Sequence, residues 1–222
     1  MSALLPLISI NRLRMETDGD GVTTLIAAKG CPLSCRYCIN SDVLGDEVPF
    51  RRVSVSELLE QVRIDDLYFQ ATGGGVVFGG GESLIHADFI REFAEAMPKE
   101  WKLTLETSLN VPTENLRKLI PYVDYYIIDI KDMNPEIYRA YTGKDNDQVM
   151  KNLHVLIDAG LADRMTIRVP KIPDYNTVED CKKSVEFLRQ MASFRAVDVF
   201  PYVIRDYHKR GEKPNHGEGE RS

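Results

Sequence analysis

Short apolar runs alternate along the chain with longer stretches in which apolar residues return every three or four positions. The runs at residues 24–28, 76–78, 102–106, 125–130, 165–169 and 196–201 have strand length. Between them, residues 55–64, 88–97, 114–120, 148–159 and 178–191 carry the helical period. Punctuation agrees with this phase. Ser54 stands three residues ahead of Glu57, and Thr177 three ahead of Asp180, the spacing by which a hydroxyl and a carboxylate close a first helical turn. Gly160 follows the fourth helix, where a left-handed residue ends one. Residues 1–15 are briefly apolar but lack the basic start and small-residue cleavage site of a signal peptide, so they read as a leading strand or arm.

Repeated strand–helix units require a parallel sheet with right-handed crossovers. Six strands are too few to close an eight-stranded barrel. The predicted fold class is therefore α/β, a partial (β/α)6 barrel with a parallel sheet open on one side. No internal repeat or linker interrupts residues 20–203, which predicts one domain over residues 1–208. Residues 209–222 hold Gly, Pro and charge with almost nothing apolar, and are expected to be a disordered tail.

Composition narrows the function classes. A 43% hydrophobic fraction in 222 residues supplies an ordinary core, and 28% charged residues suit a globular surface. The net charge of −6 gives no support for binding a nucleic acid, which needs a basic face. No apolar run reaches the length of a membrane span. The expectation is a soluble, cytoplasmic monomer with no membrane or nucleic-acid partner.

The chemically unusual residues each follow a predicted strand. Cys31, Cys35 and Cys38 follow the first; Gly79, Gly80, Gly81 and Glu82 follow the second. Glu106, Thr107 and Ser108 end the third, Asp129 and Lys131 the fourth, and Arg168 lies late in the fifth. Ligands in parallel α/β folds bind at the carboxyl ends of strands, so these groups share one rim. Three thiolates on a short loop suit three corners of an iron–sulfur cubane and leave one iron open. A zinc site is the alternative, but structural zinc nearly always takes four ligands. Its fourth would have to be the distant Cys181 or one of four histidines. Blander readings exist for single residues: Asp129 as a helix cap, Lys131 as a solvated charge, Arg168 in a structural ion pair. Cys181 reads as a core residue, and His86 and His154 as surface or packing residues.

The segment GCPLSCRYCIN at residues 30–40 resembles the CxxxCxxC signature of radical S-adenosylmethionine (SAM) enzymes, with aromatic Tyr37 before the last cysteine. FGGGESL at residues 78–84 resembles the GGE motif of the same family. Three longer segments, DGDGVTTLIAAKGC, ATGGGVVFGGGESLIHADFI and YYIIDIKDMNPEIYRAYTGKDN, resemble the activating enzymes of glycyl radical enzymes, such as the activase of pyruvate formate-lyase. The likeness is collinear over about residues 8–203.

The resemblance implies an oxidoreductase in which Cys31, Cys35 and Cys38 ligate a single 4Fe–4S cluster. It places Arg36, Tyr37 and Ile39 by the SAM adenine, and Gly80, Gly81 and Glu82 by the methionine amino group. Asp129, Ile130 and Lys131 match the contacts to the rest of the methionine moiety. Glu106 takes the position of an aspartate that, with Asp129, forms a monovalent-cation site. Asp18 and Arg168 match positions that meet the substrate peptide. The implied reaction is reductive cleavage of SAM to a 5′-deoxyadenosyl radical, which abstracts a Cα hydrogen from a glycine of a partner glycyl radical enzyme. An electron donor such as flavodoxin or ferredoxin is implied too. Two departures stand out: the family's histidine after a Pro-Tyr pair is here Val203, with His208 the nearest substitute, and the final helix of longer members is missing. Two alternatives remain. One is a radical SAM enzyme acting on a small molecule or another peptide, such as a deazapurine synthase or a ribonucleotide reductase activase, against which the D-I-K-x-M-N segment argues. The other is a noncatalytic zinc-binding module.

Overall fold

The computed structural model describes residues 3–15, 17–45 and 47–204. Among these, eight strands form one sheet: β1 (Leu5–Met15), β2 (Val22–Ala28), β3 (Arg51–Val53), β4 (Gly75–Gly80), β5 (Lys102–Thr107), β6 (Tyr125–Asp129), β7 (Met165–Lys171) and β8 (Ala196–Pro201). Their order is β3-β1-β2-β4-β5-β6-β7-β8. From β2 through β8 every pairing is parallel, and these are the six strands expected from the apolar runs. The addition is an antiparallel flank, β1 against β2 and β3 against β1. The leading apolar segment is thus a strand, while β3 is too short and too exposed to leave a period in the sequence. With β3 at one edge and β8 at the other, the sheet is unclosed.

The helices are α1 (Ser41–Leu44), α2 (Val55–Val62), α3 (Asp66–Thr72), α4 (Ala87–Ala96), α5 (Thr113–Leu119), α6 (Pro135–Thr142), α7 (Asp147–Asp158) and α8 (Val178–Met191). Both expected capping boxes form, on α2 and α8. Helix α7 closes as expected on Gly160, with φ +73. The Gly160 and Leu161 amides donate to the Ile157 and Leu156 carbonyls, which satisfies acceptors the last turn leaves over. Helices α1, α3 and α6 were not expected. In α6, Asn134 caps the Glu136 amide at 2.9 Å and Pro135 occupies the first turn, where its missing N–H costs nothing.

Strand periodicity of two sorts the side chains by function. Ile26, Val76, Phe78, Leu103, Leu105, Tyr126, Ile128, Ile167 and Val169 are buried with the helices in one core. The Phe78 ring meets the edge of Phe93 on α4 at 5.2 Å. Alternate positions point the other way, which turns Leu25, Glu106, Asp129 and Arg168 into the hollow of the sheet.

Candidate functional site

The cysteine loop leaves β2 through Gly30, whose φ of +106 favours glycine. Its amides are then spent on the neighbouring element. Ser34 and Arg36 donate to the Thr142 and Tyr141 carbonyls at 2.9 and 3.1 Å, so the last turn of α6 becomes the floor of the loop. A second strap comes from β4. Gly81 and Glu82 donate to the Ala28 and Gly30 carbonyls at 2.9 and 2.8 Å, and the Asn40 amide donates to the Gly80 carbonyl at 2.6 Å. A Cβ on Gly81 would collide with the Gly30 carbonyl oxygen, so packing of chain on chain alone requires glycine there. Glu82 is buried and fully engaged. It accepts from the Thr107 hydroxyl at 2.6 Å, the Ser108 hydroxyl at 2.6 Å and amide at 2.8 Å, and the Leu84 amide at 3.2 Å. This carboxylate ties the strap to the end of β5.

These straps enclose a cavity of about 420 Å³, within the size class of cofactor sites. Cys31, Cys35, Cys38, Ile39, Gly80, Gly81, Glu82, Glu106, Asp129, Lys131 and Arg168 line it together. Among the described residues, no three His, Cys, Asp or Glu side chains stand close enough to hold a single metal ion. The free thiols instead surround a shared space.

The cavity floor is dense in charge. Lys131 Nζ lies 3.2 Å from an Asp129 oxygen. Burial works against the Lys131 ammonium, but Asp129 and Cys35 outweigh it and hold the pKa above the lysine range. Arg168 spans two elements, 3.3 Å from Glu106 and 2.6 Å from the Thr17 carbonyl. Glu106 has few routes to solvation. Burial and the nearby Asp18 raise its pKa from 4.5 to about 7, against the opposing pull of Arg168.

Four expected residues lie outside the cavity wall. Asp18 is buried just below it and holds the Arg14 guanidinium through two hydrogen bonds, one of 2.9 Å. Arg36 is exposed, with its backbone on α6. Tyr37 turns its hydroxyl to Asp174 at 2.8 Å. Ile130 sends its side chain into the core, while its amide donates to the Arg168 carbonyl at 2.9 Å. Asp129 is no helix cap, since Asn134 caps the helix that follows, and Lys131 is no solvated charge. Arg168 does make an ion pair, inside the cavity. Cys181 is a core residue, His154 is exposed, and His86 bonds the Lys29 carbonyl at 2.8 Å.

Thr107 and Ser108 line the cavity as expected of the rim, while Arg14, Asn40, Tyr141 and Tyr202 line it too and were not proposed as site residues from sequence. Val203 is exposed, and Tyr202 beside it fills the wall, its hydroxyl donating to the Tyr37 carbonyl. His208 and the expected tail lie outside the described residues.

Residues 25–188 match the radical SAM superfamily. The indoleacetate decarboxylase activating enzyme of Tractidigestivibacter scatoligenes is 35% identical over 161 residues, 72% of this chain and 49% of that protein. The (2S)-3-sulfopropanediol dehydratase activating enzyme of Klebsiella oxytoca is 39% identical over 127 residues, 57% of this chain and 39% of that one. This chain thus spans half or less of the length of both. The pyruvate formate-lyase-activating enzyme of Staphylococcus aureus is 28% identical over 200 residues, 86% of this chain and 79% of that protein. Among solved structures, a domain of the pyruvate-formate lyase-activating enzyme of Bacteroides vulgatus superposes with a TM-score of 0.51 at 25% identity, over 58% of this chain and 81% of that one. SuiB of Streptococcus suis shares the fold, with a TM-score of 0.62 at 15% identity over 82% of this chain and 40% of its own. The three-cysteine loop and its charged cavity, carried on an open parallel sheet, are therefore those of a member of the radical SAM superfamily, a family that works with a 4Fe–4S cluster and SAM.

Proposed function

We propose that the chain is an activating enzyme for a glycyl radical enzyme. The observation that carries this reading is the shared cavity, lined together by three free thiols, a lysine–carboxylate pair and Arg168. The donor set fits the cofactors. A cubane carries its thiolates on separate irons, so it needs thiols around a space and not converged on one ion. Cys31, Cys35 and Cys38 would hold it and leave one iron for the amino acid end of SAM. When bound, the pair cleaves SAM reductively to methionine and a 5′-deoxyadenosyl radical, the species that takes hydrogen from a glycine Cα.

The protein contributes position and charge. Lys131 presents a fixed ammonium for a carboxylate, and Asp129 presents acceptors for an ammonium. The Gly80–Gly81 backbone and the strap held by Glu82 bound the same end, while the Arg36, Tyr37 and Ile39 backbone would border the adenine. Arg168, in the cavity wall, would meet the partner's glycine loop, while Asp18, buried outside that wall, would act through the Arg14 guanidinium it holds. Arginine suits that contact because its planar fork binds two acceptors at once. A monovalent cation beside Glu106 and Asp129 belongs to this reading as well. Supporting it is the crowding of three carboxylates, Asp18, Glu106 and Asp129: burial and their repulsion raise the Glu106 pKa despite the nearby Arg168 and Arg14. The reading includes a flavodoxin or ferredoxin as donor and a monomeric, cytoplasmic protein; no helix among the described residues is long and apolar enough to cross a membrane.

Isotope transfer tests the reaction. A cognate partner labelled with deuterium at its glycine Cα should pass that deuterium to the 5′-deoxyadenosine released. Unlabelled 5′-deoxyadenosine at full yield would instead indicate a radical SAM reaction on another substrate.

A further inference from the structure

Tyr37 lies between two of the cavity's three cysteines, and three separate elements grip it. Its hydroxyl donates to Asp174 at 2.8 Å. Its carbonyl accepts from the Tyr202 hydroxyl. Its ring packs against Tyr175 at 5.7 Å and Tyr141 at 6.3 Å, and those two rings meet each other at 5.2 Å. Two of these contacts come from the loop that follows β7. That loop is not relaxed: Asp174 has φ +66, a left-handed conformation that side-chain-bearing residues seldom adopt.

Something must hold the loop in this shape, and the structure shows what does. Asn176 is buried and uses its whole amide. Its oxygen accepts from the Ile172 amide at 2.6 Å, and its nitrogen donates to the Pro170 carbonyl and to Asp132, each at 3.0 Å. Asp132 is buried too, directly after Lys131, and also accepts from the Asn134 amide at 2.8 Å and the Ser184 hydroxyl at 3.4 Å. A buried amide and carboxylate with every partner satisfied give a single well-defined arrangement. The Asn176–Asp132 hydrogen bond therefore joins the loop carrying Lys131, directly after β6, to the loop carrying Asp174 and Tyr175.

We propose that Asp132 and Asn176 are a positioning pair for the cysteine loop. They fix the strained loop after β7 so that Asp174 and Tyr175 clamp Tyr37, and the clamp sets where the thiols stand relative to Lys131. The proposal rests on the assignment of Cys31, Cys35 and Cys38 as cluster ligands, but the clamp itself exists without cofactors.

Hydrogen exchange of the cofactor-free chain tests the clamp directly. The reporters are the Ser34 and Arg36 amides, which are bonded to α6. Asn176→Ala and Asp174→Ala should each speed their exchange at least tenfold and leave peptides from β4 to β6 unchanged. Asp174→Asn keeps an acceptor and tolerates φ above zero, so it should restore slow exchange. In the reconstituted protein, the same two alanine variants should retain four irons, bind SAM about three- to tenfold more weakly, and alter the EPR change that SAM induces in the reduced cluster. Wild-type exchange of Ser34 and Arg36 in both alanine variants would overturn the proposal. Iron-free wild-type protein after reconstitution would overturn the cluster assignment and leave the exchange result to decide the clamp.

Discussion

Lys131 and Asp129 sit 3.2 Å apart in the cavity lining, so removing either leaves a buried or half-buried charge without its partner. Lys131→Ala should weaken SAM binding by at least about tenfold, since it deletes a charge-assisted contact worth roughly 1.5–3 kcal/mol. Iron content should stay at the wild-type value, because the substitution touches no thiol. Equilibrium dialysis and iron analysis together check this, and unchanged affinity would remove Lys131 from the SAM contacts. Glu106 supports a pH prediction. Its folded pKa is raised from 4.5 to about 7, so its favourable contribution is complete below about 4.5 and is lost as pH climbs through 7. Urea midpoints of cofactor-free wild type should decline relative to Glu106→Gln across that window, whereas parallel profiles would contradict the burial. Much of this lining was legible in the sequence: Glu106 and Asp129 lie at strand ends, Lys131 just past one and Arg168 within β7, and period-two alternation turns the strand residues inward. Arg14 and Tyr202 were not, because each lies on a strand or strand end whose own pattern says nothing about what it faces across the sheet.

At the scale of elements, α6 matters more than its eight residues suggest, because its last carbonyls receive the cysteine-loop amides. Asn134→Ala removes its cap and should cost about 1 kcal/mol, with Asn134→Ser recovering most of it. A urea midpoint unmoved by the alanine would mean the cap contributes nothing. Asn134, Pro135 and Gly143 mark the two ends of this helix in the sequence. The buried face of the sheet is the counterpart. Phe78→Ala deletes a fully buried ring packed on Phe93 and should destabilise by about 3–5 kcal/mol. A loss below about 1 kcal/mol in thermal or urea unfolding would contradict that packing. The six parallel strands and most helices were readable because burial on one face enforces period. The antiparallel β3 was not, since three residues with two exposed cannot show one.

Across the whole molecule, the unclosed sheet joins the two ends of the account. On the proposed reading, the target glycine belongs to another folded protein, and its loop must reach the cavity near Arg168. A sheet with free edges at β3 and β8 leaves a lateral way in that a closed barrel would deny. Openness and the shared rim of cysteine loop, glycine strap and charged residues followed from the strand order in the sequence, whereas the closing of that cavity by Arg14, Tyr141 and Tyr202 required the fold. The most direct measurement is EPR. Reduced, cluster-loaded protein is mixed anaerobically with SAM and each glycyl radical enzyme encoded in the same genome. The account predicts a doublet glycyl-radical signal on one of them, lost when that partner's target glycine becomes alanine. Release of 5′-deoxyadenosine with no such signal on any of them would contradict it.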